Sequence, residues 1–403
     1  MKRVQVILMF VLCAMPMTLY GQDFSRKSLL KDVRSKIKSE NYSGADATLS
    51  KALAEHRELD SDTELYYLEM KIQDKLAEAE NRKIFLNNRP DTAKYFSCIY
   101  NVYNYGMKIK SDGKKYARSA TEHLIRYRNN LLSAGKFHYS KSQFADACKY
   151  FDVYISTIHH PLLLANMTYT PDADTVSLSK LAAFSAFGNK EYEKALNYLD
   201  VAMKDTLNRQ SLLEIGAKAS LALKDSLRAL DYMRQGWKND VHNEYFCYSL
   251  IRYYTDYKDY DNLLDVVTSA IDSLPEGTDS LKVFRLMYIA GRTEEMLGDE
   301  DAALLTLQGA LRYNPKDIQT NQRIGNIYLR KAHYSYDNNT LQPRTEAYRK
   351  WKAELQQLYA SAAEYFENIM RLTDDTSLWL SELRECYYKL NKGKELKKLE
   401  KYD

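Results

Sequence analysis

Small and apolar residues recur along the middle of this chain at a fixed spacing. One row steps by 34, 34 and 40 residues through Ala195, Ala229, Leu263 and Ala303. Two more rows keep the same steps, four and seven residues later: Leu199, Met233, Val267 and Leu307, and then Ala202, Gly236, Ala270 and Ala310. The longer step contains a six-residue insertion between Pro275 and Leu281. A period near 34 predicts an array of helical hairpins in which each pair buries its apolar faces on the next.

The clearest copy of the repeat runs from Phe284 to Asp317. Its characteristic positions are Gly291, the turn Leu297-Gly298-Asp299, Ala303, Ala310 and Pro315. This copy resembles the tetratricopeptide repeat family, although Glu294 stands where the family usually has an aromatic residue. The resemblance implies an all-α superhelical solenoid of antiparallel helix pairs, with about nine to ten repeats along the chain. The alternative is an ordinary helical bundle with chance spacing.

The N-terminus has the pattern of an export signal. Lys2 and Arg3 precede an apolar run from Val4 to Leu19, and small Gly21 stands before Gln22. We expect residues 1–21 to be a secretory signal peptide that is removed. A retained membrane anchor is the alternative, but the run is short for a spanning helix and contains Pro16. A leader ending in Gly-Gln resembles those of secreted Bacteroidetes proteins, which predicts the periplasm.

The period divides the rest of the chain. Residues 22–160 keep it weakly, with Ala45, Ala79 and Ala147 on one grid and Ala117 and Ala120 in step, so we expect degenerate repeats there. Residues 161–175 form an inserted loop whose Leu162, Leu163 and Leu164 are expected to fold back on the array. The regular array spans 176–317. Residues 318–376 form a repeat with a long insertion that mainly extends its second helix, and 377–403 are capping helices.

Two neighbouring repeats place aromatic and basic residues on the predicted concave surface. The equivalent positions are Tyr245, Tyr248 and Arg252 in one repeat, and Arg285, Tyr288 and Arg292 in the next. Guanidinium groups and tyrosine rings suit an acidic or extended peptide, through paired carboxylates and stacking. The alternative is a solvated helix face whose tyrosines pack locally.

A third candidate contact lies on the extended helix. Trp351 and Leu355 belong to one apolar stripe, and Tyr348 stands beside them among Arg349, Lys350 and Lys352. This ledge either binds a partner, with Trp351 at its centre, or docks on the adjacent loop.

Composition and motifs exclude several classes of function. The chain has 58 Lys and Arg against 54 Asp and Glu, a balance that gives no support to non-specific nucleic-acid binding. Cys98, Cys148, Cys247 and Cys386 are scattered and are expected to be buried free thiols. No motif indicates a catalytic centre, a metal or another cofactor, so we do not expect an enzyme.

Together these patterns predict a periplasmic scaffold or adaptor in the cell envelope. It would bind a partner protein or an extended peptide in the concave groove. The alternative function is a cell-envelope glycan-binding protein on a similar scaffold, which would need exposed pairs of Trp or Tyr.

Overall fold

The structure is a computed structural model that describes residues 24–86, 89–110, 114–166, 169 and 174–402. These residues form α-helices joined by short turns and contain no strand. They divide into two compact units, the first ending at Ser185 and the second beginning at Ala186. Within each unit, helices pack as pairs on the helices that follow. The predicted all-α solenoid of antiparallel helix pairs is therefore confirmed as the fold class. The proposed signal peptide, residues 1–21, lies outside the described residues.

The helices of the first unit are long and few. They are α1 (Arg26–Lys38), α2 (Tyr42–Glu55), α3 (Thr63–Phe85), α4 (Thr92–Gly106), α5 (Lys114–Ser140), α6 (Phe144–Ser156) and the short α7 (Pro161–Leu164). Helix α8 (Thr175–Gly188) runs across the division between the units.

The second unit continues with hairpins of more even length. Its helices are α9 (Tyr192–Ala202), α10 (Arg209–Ala222), α11 (Ser226–Asn239), α12 (Glu244–Tyr257), α13 (Tyr260–Asp272), α14 (Ser280–Leu297), α15 (Glu300–Leu311), α16 (Ile318–Asp337), α17 (Glu346–Leu372), α18 (Leu380–Lys389) and α19 (Gly393–Lys398). Consecutive helices pack on each other from α9 to α19.

The turn inside each regular hairpin has one backbone geometry. A single residue takes the left-handed conformation, and the residue after it precedes the second helix: Lys190, Lys224, Lys258 and Gly298. These positions step by 34, 34 and 40, the same steps as the apolar rows. Only Gly298 has no Cβ to strain this conformation. The backbone thus repeats with the period of the sequence, even where the turn residue is lysine.

The six-residue insertion lengthens α14 at its start. Helix α12 begins at Glu244 and α16 begins at Ile318, and Phe284 is the residue of α14 in step with both. However, α14 already begins at Ser280, one turn earlier, with Asp279 capping it by accepting a hydrogen bond from the Lys282 N–H. The insertion therefore adds a helical turn and a longer linker between α13 and α14.

In the first unit the predicted grid is only partly right. Left-handed turn residues at Glu40 and Ser142 precede α2 and α6, and the second helices carry buried Ala45 and Ala147 as expected. The copies placed between them are wrong, because Ala79 lies within the continuous helix α3. Ala117 and Ala120 likewise belong to α5, the first helix of its hairpin with α6. Because α3 has 23 residues and α5 has 27, fewer and longer hairpins fill this stretch.

The leucine cluster after α6 folds back, as expected. Leu162 and Leu163 are buried, and their short helix α7 packs on α5. The Thr121 hydroxyl donates to the Leu162 carbonyl at 2.9 Å, which fixes the segment. Leu164 is 49% exposed, so two of the three leucines serve the core.

The insertion after residue 318 lengthens both helices of its hairpin. Helix α16 has 20 residues and α17 has 27, whereas α15 has 12. The prediction that the insertion mainly extends the second helix is thus corrected in part, since α16 also runs on to Asp337. An apolar stripe along α17 holds the pair together: Leu355, Ala362, Phe366 and Ile369 are all buried.

Candidate functional site

The first helices of the regular hairpins share an exposed side. On α12, Phe246, Leu250 and Tyr254 are buried against neighbouring helices. Tyr245, Tyr248 and Arg252 follow each other at intervals of three and four residues, which places them on one side of a helix. We call this side of the first helices the groove face. Its members are Lys218 on α10, Tyr245, Tyr248 and Arg252 on α12, Arg285, Tyr288 and Arg292 on α14, and Gln319, Gln322 and Asn326 on α16.

The structure brings groove-face residues of neighbouring helices together. The ammonium of Lys218 lies 4.8 Å from the centre of the Tyr245 ring. The charge of Arg285 acts on the phenol of Tyr248. The Tyr288 hydroxyl donates to Gln319 Oε1 at 3.2 Å. Groove-face residues of neighbouring first helices therefore lie beside one another from α10 to α16.

The tyrosines on this face differ in how much of the side chain is exposed to solvent. Tyr245 is half-buried with its ring edge-on to Phe246 at 5.1 Å, and burial raises the pKa of its phenol. Tyr245 thus packs against its neighbours. This fits the alternative interpretation, in which the tyrosines of a solvated helix face pack locally. Tyr248 is 39% exposed, although burial of the rest of the side chain also raises its pKa. Tyr248 offers the more accessible ring.

Tyr288 belongs to a polar cavity between α14 and α16. The cavity has a volume of about 370 Å³, and Glu295, Gln322, Arg323 and Asn326 also line it. Arg323 donates from Nε to the Tyr288 hydroxyl at 3.2 Å and from Nη1 to Glu295 Oε2 at 2.7 Å. The repeat period predicts neither Glu295 nor Arg323 as part of the site. Helical spacing could have indicated them, because Arg323 and Arg330 lie seven residues apart, on one side of the helix that faces Glu295.

The three arginines of the groove face differ in whether a carboxylate of the chain lies close to them. Arg252 Nε lies 3.7 Å from Asp256, and both side chains are exposed, so this pair is weak in water. Arg285 and Arg292 are also exposed, and neither has a carboxylate partner in the described part of the chain. Arg292 borders a second cavity, of about 390 Å³, between the ends of α12 and α14. Arg285 and Arg292 are therefore the arginines of the groove face whose guanidinium groups are exposed and have no carboxylate partner among the described residues.

Trp351 lies on the long hairpin of α16 and α17. It lines a cavity that is separate from the other six predicted site residues. Its indole N–H donates to the carbonyl of Ser335 at 3.2 Å and to its hydroxyl at 3.0 Å. The Tyr348 ring is 5.2 Å away, and Leu355 is buried. Together with Tyr336 and Lys389, Trp351 lines a cavity of about 170 Å³. The ledge therefore packs on the end of α16.

Other chemistry is sparse among the residues that the structure describes. They contain no group of three or more His, Cys, Asp or Glu side chains placed to hold a metal ion. Cys98, Cys148, Cys247 and Cys386 are free and buried, as predicted. Of the described helices, none is both long and apolar enough to span a membrane.

Comparison with known proteins gives a likeness in architecture only. No protein-family model matches the chain, and no curated protein matches it. Among solved structures, MamA from Desulfovibrio magneticus RS-1 is 19% identical, with 50% of this chain and 96% of that chain covered and a TM-score of 0.31. A TPR repeats protein from Bacteroides fragilis is 15% identical over 65% of this chain and 98% of that one, with a TM-score of 0.33.

A third solved structure, YrrB, is described as a TPR protein with an unusual peptide-binding site. It is 14% identical over 47% of this chain and 88% of that chain, with a TM-score of 0.32. Because these TM-scores are low, the assignment of the fold rests on the repeat period, the turn geometry and the helix packing described above.

Proposed function

We propose that this protein is an interaction scaffold whose groove face binds an extended acidic segment of a partner protein. The observation that carries the proposal is the pair of exposed guanidinium groups, Arg285 and Arg292, on one face of α14. A guanidinium binds a carboxylate through two parallel hydrogen bonds, which favours acidic residues spaced along an extended chain. Tyr248 adds an accessible ring beside Arg285 for stacking.

The proposal is tested with peptides of one length and one backbone composition. The acidic peptide alternates Glu with Ser and has one central Leu, and its partners replace every Glu by Gln or by Lys. Fluorescence anisotropy measures their binding to the purified chain. We expect the acidic peptide to bind most tightly, and its affinity to fall as salt rises, because screening weakens exposed charge pairs.

Two variants locate the site. The double variant Arg285→Gln, Arg292→Gln removes both charges and keeps polar side chains of similar length. Each exposed pair contributes roughly 0.2–1 kcal/mol, so the loss is roughly 2- to 30-fold in affinity. Arg312→Gln is the matched control, because Arg312 is exposed at the end of the second helix α15.

Three outcomes would overturn the proposal. They are equal binding of the acidic and Gln peptides, an unchanged affinity in the double variant, and an equal loss in Arg312→Gln. An oligosaccharide array run beside the peptides covers the alternative function. Glycan binding that is lost in Tyr248→Ala, without any preference for acidic peptides, would establish a glycan-binding protein instead.

The location of this scaffold in the periplasm is a separate part of the proposal. It rests on the pattern of residues 1–21, which lie outside the described part of the chain. Cell fractionation and intact-mass measurement test it. We expect periplasmic protein whose mass corresponds to a chain that starts at Gln22, and full-length protein in the cytoplasmic fraction would overturn it.

A further inference from the structure

Residues on both sides of the six-residue insertion line a cavity. A cavity of about 280 Å³ lies between the start of α12, the end of α13 and the start of α14. Ser273, Leu274 and Pro275 wall it from the linker, and Lys282 walls it from the extra turn of α14. The 40-residue step of the repeat therefore falls where a cavity opens between two hairpins.

The interior of this cavity is apolar. Val241, Cys247, Ala270 and Leu286 contribute to its lining. Burial raises the pKa of the Cys247 thiol to about 11, so the thiol is neutral and behaves as a small apolar group. An apolar cavity of about 150 Å³ is known to hold a benzene molecule, and small-molecule sites begin near 300 Å³. The volume here suits one large apolar side chain.

The mouth of the cavity is polar and opens beside the groove face. Lys282 Nζ lies 2.7 Å from Glu244 and forms an ion pair across the gap between α14 and α12. Tyr248 belongs both to the cavity lining and to the groove face. The charges that act on the Tyr248 phenol are the cations Lys282 and Arg285 and the anion Glu244. Because Lys282 is paired with Glu244, Arg285 is the cation beside the mouth that has no carboxylate partner among the described residues.

We infer that this cavity holds an apolar anchor residue, of leucine or phenylalanine size, from the acidic segment that the groove face binds. The inference rests on the proposed function and adds a specificity determinant to it. A peptide seated along Arg285 and Tyr248 reaches the mouth directly, and its apolar side chain leaves water for the cavity. Asp272 ends α13, and the linker after it carries Glu276 and Asp279, so carboxylates are favoured on the Arg285 side of the anchor only.

The experiment changes the peptide and the protein separately. On the peptide, the central Leu of the acidic probe is replaced by Ala with all charges kept. We expect roughly tenfold weaker binding, because a buried leucine side chain contributes on the order of 1.5 kcal/mol. On the protein, Ser273→Phe puts a large side chain in the cavity wall and should remove the preference for Leu over Ala, while the preference for Glu over Gln remains.

The matched control is Asn239→Phe, which introduces the same side chain at the corresponding position of the preceding hairpin, where the linker has no insertion. Thermal unfolding of each variant checks that it folds. The peptide substitution needs no protein variant, so it remains decisive if Ser273→Phe does not fold. Equal affinity for the Leu and Ala peptides overturns the anchor cavity, and so does an unchanged Leu preference in folded Ser273→Phe.

The outcomes separate this inference from the proposed function. A charge preference without a Leu preference retains the groove face and removes the anchor cavity. A Leu preference without a charge preference retains an apolar pocket but overturns the acidic segment as its source, and with it both proposals as stated. A peptide with acidic residues on both sides of the anchor should bind no more tightly than one with acidic residues on the favoured side.

Discussion

The ring of Phe246 on α12 occupies the space that a side chain on Gly236 of α11 would need. A Cβ at Gly236 would lie well inside 3.0 Å of three ring carbons, and Phe246 is fully buried. A Cβ at Gly291 would likewise lie 2.7 Å from the Leu307 side chain, and a Cβ at Gly325 would lie 2.8 Å from the Phe366 ring. The small positions of the repeat are thus points where large buried side chains approach a neighbouring helix.

Gly236→Ala is expected to destabilise the protein by about 1–3 kcal/mol, because overpacking forces Phe246 or the helix to move. Chemical denaturation of the purified variant measures the free energy of unfolding. Gly393→Ala is the control, since a Cβ there would have nothing within 4 Å. Equal stability of the two variants would contradict the close approach.

Glu69 on α3 should make the stability of the protein depend on pH. Its side chain is fully buried, and burial, with the neighbouring Asp46, raises its pKa from 4.5 to about 9. The folded chain therefore keeps a proton that the unfolded chain releases, and the free energy of unfolding falls as pH rises between those values, by up to about 1.4 kcal/mol per pH unit. Gln73 Nε2 donates to both carboxyls at 2.8 Å.

Denaturation curves between about pH 5 and pH 9 test this titration. Glu69→Gln should flatten the dependence, because the amide is neutral throughout, whereas the exposed Glu122→Gln should leave it unchanged. Asp74, also buried on α3, provides a contrast. Burial raises its pKa, but hydrogen bonds from His123 and Tyr127 outweigh this and lower it. Asp74 therefore loses its stabilising charge only at acidic pH. A slope that survives in Glu69→Gln would assign the titration to another group.

Glu295→Gln is expected to tighten the binding of acidic peptides. Glu295 holds Arg323 at 2.7 Å and Arg330 at 2.9 Å, which neutralises charge beside the groove face. Removing this negative charge leaves Arg323 without a carboxylate partner, while Arg330 keeps its ion pair with Glu300 at 2.7 Å. The added positive charge should raise affinity by roughly 2- to 5-fold at low salt. Glu193→Gln is the control, because Glu193 is exposed on α9. Unchanged affinity would place the peptide away from α16.

Trp351→Phe should cost about 1 kcal/mol of stability, because it removes the indole donor to Ser335. Peptide affinity should stay the same, because the side chain holds α17 on α16. A double-mutant cycle with Ser335→Ala checks the contact. The two changes together should cost less than their separate losses added. A fall in peptide affinity in Trp351→Phe would instead place this residue in the binding site.

The sequence predicts the fold well where each hairpin fits within a period of about 34 residues. From α9 to α15 the apolar rows and the turns share one period. In the first unit, Ala45 and Ala147 are correctly placed but Ala79 is not. A helix such as α3, with no glycine or proline to end it, continues through a position where the period alone predicts a second helix.

The sequence predicts only part of the candidate site. Helical spacing places Tyr248, Arg285 and Arg292 on one face, because a regular helix fixes which positions share a side. Spacing does not show which residues already have partners. Tyr245 lies under Lys218, and Tyr288 is bonded to Gln319 and Arg323. The anchor cavity depends on how the inserted linker folds, which the period does not encode.

The pairing of each helix with its neighbours in sequence has a kinetic consequence. The main contacts in both units join helices that are adjacent along the chain, or nearly so, as with α3 and α5. Such a chain has a low contact order, so folding requires only short loops to close and no distant segments to meet first. Folding can therefore begin at any hairpin and spread to the next one, and the chain should reach its native state quickly for its length.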